Sequence, residues 1–490
     1  MHPARSLLLG AGIFVIGLLS TFAIGSSAAV ADTFSAATAV HSNITSFMAQ
    51  QLDGYQGSLY GPFQGGVWTD PIDTCWACDN GGPATAAATQ YVLTGASDPT
   101  LLDEATETID VAIANDQNSD GSFNPPDTAA NVDNSIWFGD ELGTTYRLLA
   151  PYLSVPTLAA WQAALSADAN YLINSGDTAW YINGNLNLAE TELLWLTWQA
   201  TGDPTFETAY NNSWAFIMNP SQTKFPGEGW VTVTSPTQPD GADGEGYFTE
   251  TGAGGTGWDP YYATLQLDAA ARLYLLSGDP RALRVTNMLM NLESPLVDTS
   301  TWIINTSNGT RHTGTNDSEL ITSAYAVLGF EGGRTDMVAN VLPQLAQEEQ
   351  WYTEPGQADA ATFRRAFGNS VAVVALAAAL ADPATSATVS QYSVLGGASP
   401  TPPSMPTTAT APATTPSSTP ATSTPATSTP AISTPTTPTP SPPLAPPLPS
   451  AKSQTTRAQQ LVADLSDLEF STTNDGDLGY KPPPRTRERR

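Results

Sequence analysis

Basic residues are scarce in this chain: its 490 residues hold 17 Lys and Arg against 47 Asp and Glu, a formal net charge of −30. One of the cations is Arg5 and seven lie beyond residue 450, so residues 32–398 keep nine cations against 41 acids. A surface so acidic repels a phosphate backbone, which excludes nucleic acid as an expected partner. It disfavours polyanionic glycans as well, unless a local basic cleft exists. Histidine is nearly absent, with three in all, and cysteine is limited to Cys75 and Cys78 in TCWACD. With no second cysteine pair and only His41 and His312 beyond the N-terminal segment, a zinc site lacks ligands. A small disulfide between Cys75 and Cys78, pinning a loop, is the expectation for an exported chain.

Long apolar runs are missing too, apart from the first thirty residues. There Arg5 precedes an apolar stretch from Leu7 to Ile24, and Ala29-Val30-Ala31 forms a small-x-small cleavage site. Residues 1–31 therefore read as a secretory signal peptide, and the chain as secreted, with a cell-wall location open to it. No membrane span is expected after cleavage. Residues 399–450 are almost wholly Pro, Thr, Ser and Ala with no charge, a composition that cannot offset ordering entropy and reads as a disordered linker. Residues 451–490 read as a disordered tail that ends PPPRTRERR. One folded domain, residues 32–398, remains, expected to act as a monomer.

Within that domain an apolar helix, a short Gly/Asp/Pro break and a second helix recur. The breaks fall in LTGASDPT, LAPYLSVPT, ATGDPTF, LSGDPRA, GFEGGRTD and LADPAT, near residues 95, 151, 201, 278, 332 and 382. Helices before the breaks are apolar on most faces, as in AETELLWLTWQA and SVAVVALAAALA, and belong inside. Those after the breaks are amphipathic and belong outside. Five such outer helices are clear, and residues 34–52 supply a sixth that closes a ring. The expectation is an all-α (α/α)6 toroid, with an open helical solenoid as the competitor.

In a toroid the long connections share one rim. They span roughly 53–81, 117–134, 175–187, 219–258, 294–315 and 351–365. Trp68, Trp76, Trp137, Trp180, Trp230, Trp258, Trp302 and Trp351 fall in or beside them, while the short breaks contain no tryptophan. Flat aromatic faces stack on sugar rings, so an oligo- or polysaccharide is the expected partner; the bland alternative is that these rings plug the mouth. The layout, the TGDP-type breaks and the acid- and aromatic-rich loops resemble the six-hairpin glycosidases and the toroidal polysaccharide lyases over most of residues 34–385. DGEGYFTETG followed by GWDPYYATLQL is also similar to a loop of some toroidal lyases in which a tyrosine is acid or base. That resemblance implies Tyr247, Tyr261 or Tyr262 in such a role.

Residue types separate hydrolase from lyase. A lyase acting on a uronate needs its carboxylate neutralised, and only Arg311-His312 beside Asn316 offers a cluster for that. A glycosidase needs two carboxylates, and acids are in excess. The candidates are Asp140, Glu190, Glu245, Glu250 and Asp259. Asp259 before Pro260 also fits a helix N-cap. Glu190 and Glu192 open a helix that is otherwise apolar, on different faces, so at most one reaches the pore; Glu190 is the one taken. Candidate substrate contacts are Trp68, Trp76, Trp137, Trp180, Tyr247, Trp258, Tyr261, Trp302 and Trp351. The Gly-rich stretch 241–260 is expected to wall the cleft, with calcium binding by Asp240, Asp243 and Glu245 as its alternative. A glycoside hydrolase is the leading reading; a lyase and a non-catalytic glycan-binding protein are the others.

Overall fold

In a computed structural model, residues 33–52, 63–66, 68, 76–123, 132–175, 183–218, 229–252, 255–310, 321–353 and 370–393 are described. Six inner helices are α2 (Trp76–Leu93), α4 (Val132–Leu149), α6 (Gly184–Thr201), α8 (Pro260–Ser277), α10 (Thr322–Phe330) and α12 (Ala372–Ala381). Each packs on the next, and α12 packs back on α2. That last contact makes the array a closed ring and removes the solenoid. The outer helices are α3 (Pro99–Asp116), α5 (Val155–Ser175), α7 (Pro204–Ile217), α9 (Pro280–Glu293) and α11 (Val338–Thr353), each against the inner helix it follows. The sixth outer helix is α1, residues 33–52. Ala37, Val40, Ile44, Phe47 and Met48 form its buried stripe, and His41 Nδ1 stands 3.6 Å from Asp382 Oδ2 at the end of α12.

Three of the six breaks are built from one piece of local chemistry. Gly95, Gly202 and Gly278 adopt φ of 68°, 70° and 67°, the left-handed turn that ends a helix without a Cβ penalty. Asp98, Asp203 and Asp279 follow as N-caps, accepting from the backbone N of Thr100, Thr205 and Arg281 at 3.0, 2.8 and 2.8 Å. A proline then sits at the first helical position, where no amide hydrogen is needed. Thus the short text GDP closes one helix and opens the next. Asp259-Pro260 uses the same cap to open α8, with Tyr261 N 3.1 Å from Asp259 Oδ1.

Close packing of the inner ring depends on small residues. A Cβ at Gly143 of α4 would stand 2.8 Å from Leu196 Cβ of α6, and one at Gly139 would meet the Leu193 methyls at 2.8 Å. Two glycines four apart therefore leave a flat strip on which α6 seats.

The connection between α7 and α8 carries two short antiparallel strand pairs. Strand β1 (Trp230–Thr234) pairs antiparallel with β2 (Glu245–Phe248), Val231 opposite Tyr247. Strand β3 (Glu250–Gly252) pairs with β4 (Gly255–Gly257). Between β1 and β2 the chain does not wall the cleft. It runs down the flank of α9: Asn291 Nδ2 donates to the carbonyls of Ala242 and Gly244, Asn287 Nδ2 to that of Asp240, and Arg284 to that of Pro239. Asn291, Asn287 and Arg284 are successive turns of α9, receding from the long-loop rim. Arg334, from the α10–α11 break, then bonds Asn287 and Asn291 Oδ1 at 3.2 and 3.0 Å. Tyr247 to Glu250 return to the mouth, and Trp258 and Asp259 reach it at the start of α8.

Candidate active site

Two groups of side chains stand out on the inner helices. The deeper one is a layer of carboxylates around one guanidinium. Asp140, Glu192 and Asp268 are each the ninth residue of α4, α6 and α8, which places all three about 12 Å below the helix starts at 1.5 Å per residue. Arg272 lies one turn deeper on α8, and helical side chains lean toward the N-terminus, so its guanidinium returns to the same layer. It binds Glu192 through two bonds, Nε to Oε1 at 2.6 Å and Nη2 to Oε2 at 2.8 Å. Nη2 reaches Asp140 Oδ2 at 3.3 Å and Nη1 reaches Asp268 Oδ2 at 3.0 Å.

Three carboxylates share one cation here, so they cannot all be ionised cheaply. Burial, followed by the neighbouring Glu192 charge, holds Asp140 well above the usual carboxylate range. Burial pushes Glu192 up to about 7 against the pull of Arg272. Asp268 is raised by burial and drawn back by Arg272 and by a hydrogen bond with Ser323 of α10. Burial thus favours the protonated form of these carboxyls, and the Arg272 guanidinium favours the charged form. Asp140 and Glu192 keep no side-chain exposure, whereas the Asp268 side chain keeps 19%, with its Oδ1 buried.

The second group lies at the mouth. Glu250 Oε1 accepts from Asn185 N at 2.9 Å, at the start of α6, and from Gln266 Nε2 of α8 at 2.7 Å. A helix N-terminus suits a carboxylate charge. Gln266 also brackets Phe248 through its backbone N and O, both at 3.3 Å. This fixes the returning strand across the α6–α8 gap. Beside it the half-buried rings of Tyr247 and Trp258 lie 6.2 Å apart, tilted by 33°. Trp258 Nε1 donates to Glu293 Oε1 at 2.7 Å, and its carbonyl accepts from Thr310 N at 3.0 Å.

The candidates named from sequence fall in different places. Asp140 stands in the carboxylate layer, bound to Arg272. Glu192, not Glu190, is the α6 member of that layer; two helical positions are about 200° apart, so Glu190 faces the opposite side. Glu250 stands at the mouth, and Asp259 caps α8 there. Glu245 is removed from both groups, since its Oε2 accepts from Thr234 Oγ1 at 2.7 Å on the β1–β2 hairpin outside the ring. Of the carboxylates named for calcium, Asp243 accepts from the backbone N and hydroxyl of Thr237 and from Gln238 N, and Asp240 from Ala242 N. Among the described residues no three acids, His or Cys are grouped to hold a metal ion.

Among the aromatics, Trp68 is 1% exposed and edge-on to Phe63, with no open face for a sugar. Tyr261 is 6% exposed and packs edge-on to Tyr262. Trp137 and Trp302 are half-buried against the core, and Trp302 takes φ of 59°, a strained conformation for a bulky residue. Trp180, Cys75, Arg311 and His312 lie outside the described residues. For Trp76, Cys78 and Trp351 the description extends only to the backbone.

Asp268, Arg272 and Glu293 are absent from the sequence candidates. The first two had a signal: LDAAAR places an acid and a base four apart in a helix that is otherwise apolar, and such a pair must face an interior. Glu293 had none, because its partner Trp258 is 35 positions away.

No protein-family model matches the sequence, and no curated protein matches it. Solved structures do share its helical layout. A D-mannose isomerase is similar with a TM-score of 0.43 and 12% identity, over 64% of this chain and 86% of that one. A family 76 glycoside hydrolase from a bovine Bacteroides thetaiotaomicron strain gives 0.42 and 12%, over 69% and 77%. An unsaturated glucuronyl hydrolase from Streptococcus agalactiae gives 0.35 and 12%, over 68% and 77%. The reading of this site rests on its own side chains.

Proposed function

We propose that the ring is a glycoside hydrolase whose acid and base are drawn from Asp140, Glu192 and Asp268. The observation that carries the reading is the layer of three carboxylates around the single guanidinium of Arg272. Glycosidic cleavage by two carboxyls requires one to be protonated while the other is charged. Asp268, which alone of the three keeps some side-chain exposure, is assigned to substrate contact, with Glu192 and Asp140 as its proton-holding neighbours. Tyr247 and Trp258 supply an aromatic platform at the mouth, of the kind that orients a bound ring. The N-terminal text supports export with release after Ala31, and the Pro/Thr/Ser-rich run beyond residue 398 supports a linker.

The test is incubation of the purified chain with neutral and uronate-containing glycans, following reducing ends and the absorbance of unsaturated uronates together. Reducing ends without absorbance, abolished in Asp268→Asn and Glu192→Gln, is the expected result. Absorbance rising with the reducing ends would replace the hydrolase by a lyase. Retention on a glycan column with neither signal would leave a binding protein, the second reading, which the Tyr247–Trp258 pair favours.

A further inference from the structure

Glu293 is the last residue of α9, fully buried, at the end of an outer helix where the backbone dipole is negative. A carboxyl there is poorly placed by every general rule. Desolvation penalises its charge, the helix terminus repels it, and the nearby Asp259 adds a second acid. Among the described residues its one compensating contact with a polar side chain is the indole of Trp258, bound through Oε1 at 2.7 Å. Oε2 is buried without a hydrogen-bond partner among the described residues.

The indole is tied on two sides. Its own N–H is fixed by Glu293, and its backbone carbonyl by Thr310 of the connection that follows α9. Asp259, the next residue, is locked as the cap of α8. Trp258 thus joins an inner helix start to an outer helix end, and its ring is left half-buried beside Tyr247 at 6.2 Å. A tryptophan held only by packing could rotate about its two side-chain torsions; a short bond to a buried acceptor removes that freedom.

We infer that Glu293 is a positioning residue for the glycan platform, its buried carboxyl holding the Trp258 indole in one orientation beside Tyr247. This rests on reading the mouth as a sugar site, and it assigns Glu293 no contact with substrate. Burial, eased by the indole bond and reinforced by Asp259, holds Glu293 up to about 8, so the acceptor near neutral pH is a neutral carboxyl, whose shape and hydrogen bond glutamine can reproduce.

The experiment compares the full chain with Glu293→Gln, Glu293→Leu and Trp258→Phe, each carrying ¹⁵N-labelled tryptophan. Trp258→Phe assigns the indole N–H signal by its disappearance. The expected result is a Trp258 indole protected from solvent exchange in the parent and in Glu293→Gln, and exposed in Glu293→Leu. With it, KM rises about tenfold in Glu293→Leu and in Trp258→Phe at nearly unchanged kcat, the size of one lost orienting bond, while Glu293→Gln stays at the parent value. An indole equally protected in Glu293→Leu, or equally exposed in Glu293→Gln, overturns the inference. An indole released without any change in KM overturns it as well. If the parent cleaves no glycan, the hydrolase reading falls separately, and the glycan dissociation constant takes the place of KM in the same comparison.

Discussion

At the scale of single residues, Arg272 decides how the ring interior behaves. It is 1% exposed and faces Glu192, Asp140 and Asp268 together, so burial, which would lower its pKa, is outweighed by three carboxylates that raise it. Removing a buried charge while leaving its partners is costly, and Arg272→Met is expected to destabilise the fold by about 3–5 kcal/mol. The loss should be larger at pH 8 than at pH 5, because acid protonates the carboxylates left behind; denaturant melts at the two values check this. Glu192→Gln and Asp268→Asn remove a charge and keep the shape. If the layer is catalytic, they should cut hydrolysis at least a hundredfold, with the larger loss of melting temperature in Glu192→Gln, which breaks the two-bond contact with Arg272.

Elements in this fold are set by local rules that a sequence displays openly. The Gly-Asp-Pro breaks write a helix stop, a cap and a helix start into three positions, and all of these were legible. Asp98→Ala deletes one exposed cap and should cost about 1 kcal/mol, read from a shift in the denaturant midpoint without a change in slope. Contacts between elements follow a different logic. Gly143→Val should destabilise by about 2 kcal/mol despite leaving the helix intact, since the new side chain must enter the space held by Leu196. Circular dichroism of the variant should keep its helical shape while thermal melting moves down. The α7–α8 connection is where local text misled. Its glycines and acids suit a cleft wall as well as a flank, and the difference lies in Asn287, Asn291 and Arg284, which are ordinary outer-helix residues until α9 and the loop are seen together.

For the whole molecule, buried acids set the response to pH. Burial holds Asp116 up to about 6, Glu192 and Glu331 up to about 7, and Glu293 up to about 8. Between the ordinary carboxylate range and these values the unfolded chain ionises while the folded one keeps its protons. The folded state then binds more protons, so stability falls as pH rises through this window. Asp203, Asp243 and Asp298 are held low by cap and turn hydrogen bonds, and their contribution is lost only in stronger acid. Thermal melting is therefore expected to peak at about pH 4 and to decline steadily toward pH 8. A flat profile over that range would show that the buried acids are ionised in the fold. The export reading has its own check, N-terminal sequencing of the secreted protein, which should begin at Asp32.

The number of hairpins and the inner and outer helices follow from text alone, because apolar periodicity and helix punctuation are properties of neighbours along the chain. Even the sixth outer helix, residues 33–52, was visible as an amphipathic segment without a partner. Closure of the ring, by contrast, is a contact between α12 and α2, nearly three hundred residues apart. The same distinction governs the site. That acids are the candidates for the chemistry follows from composition, but which acids meet depends on the rotation of each helix about its axis. Glu190 and Glu192 differ by one intervening threonine, and only packing of α6 against α8 turns the second toward Arg272. Glu293 and Trp258 show the limit most plainly: neither residue is unusual where it stands, and their bond exists only because the end of one helix layer meets the start of the other.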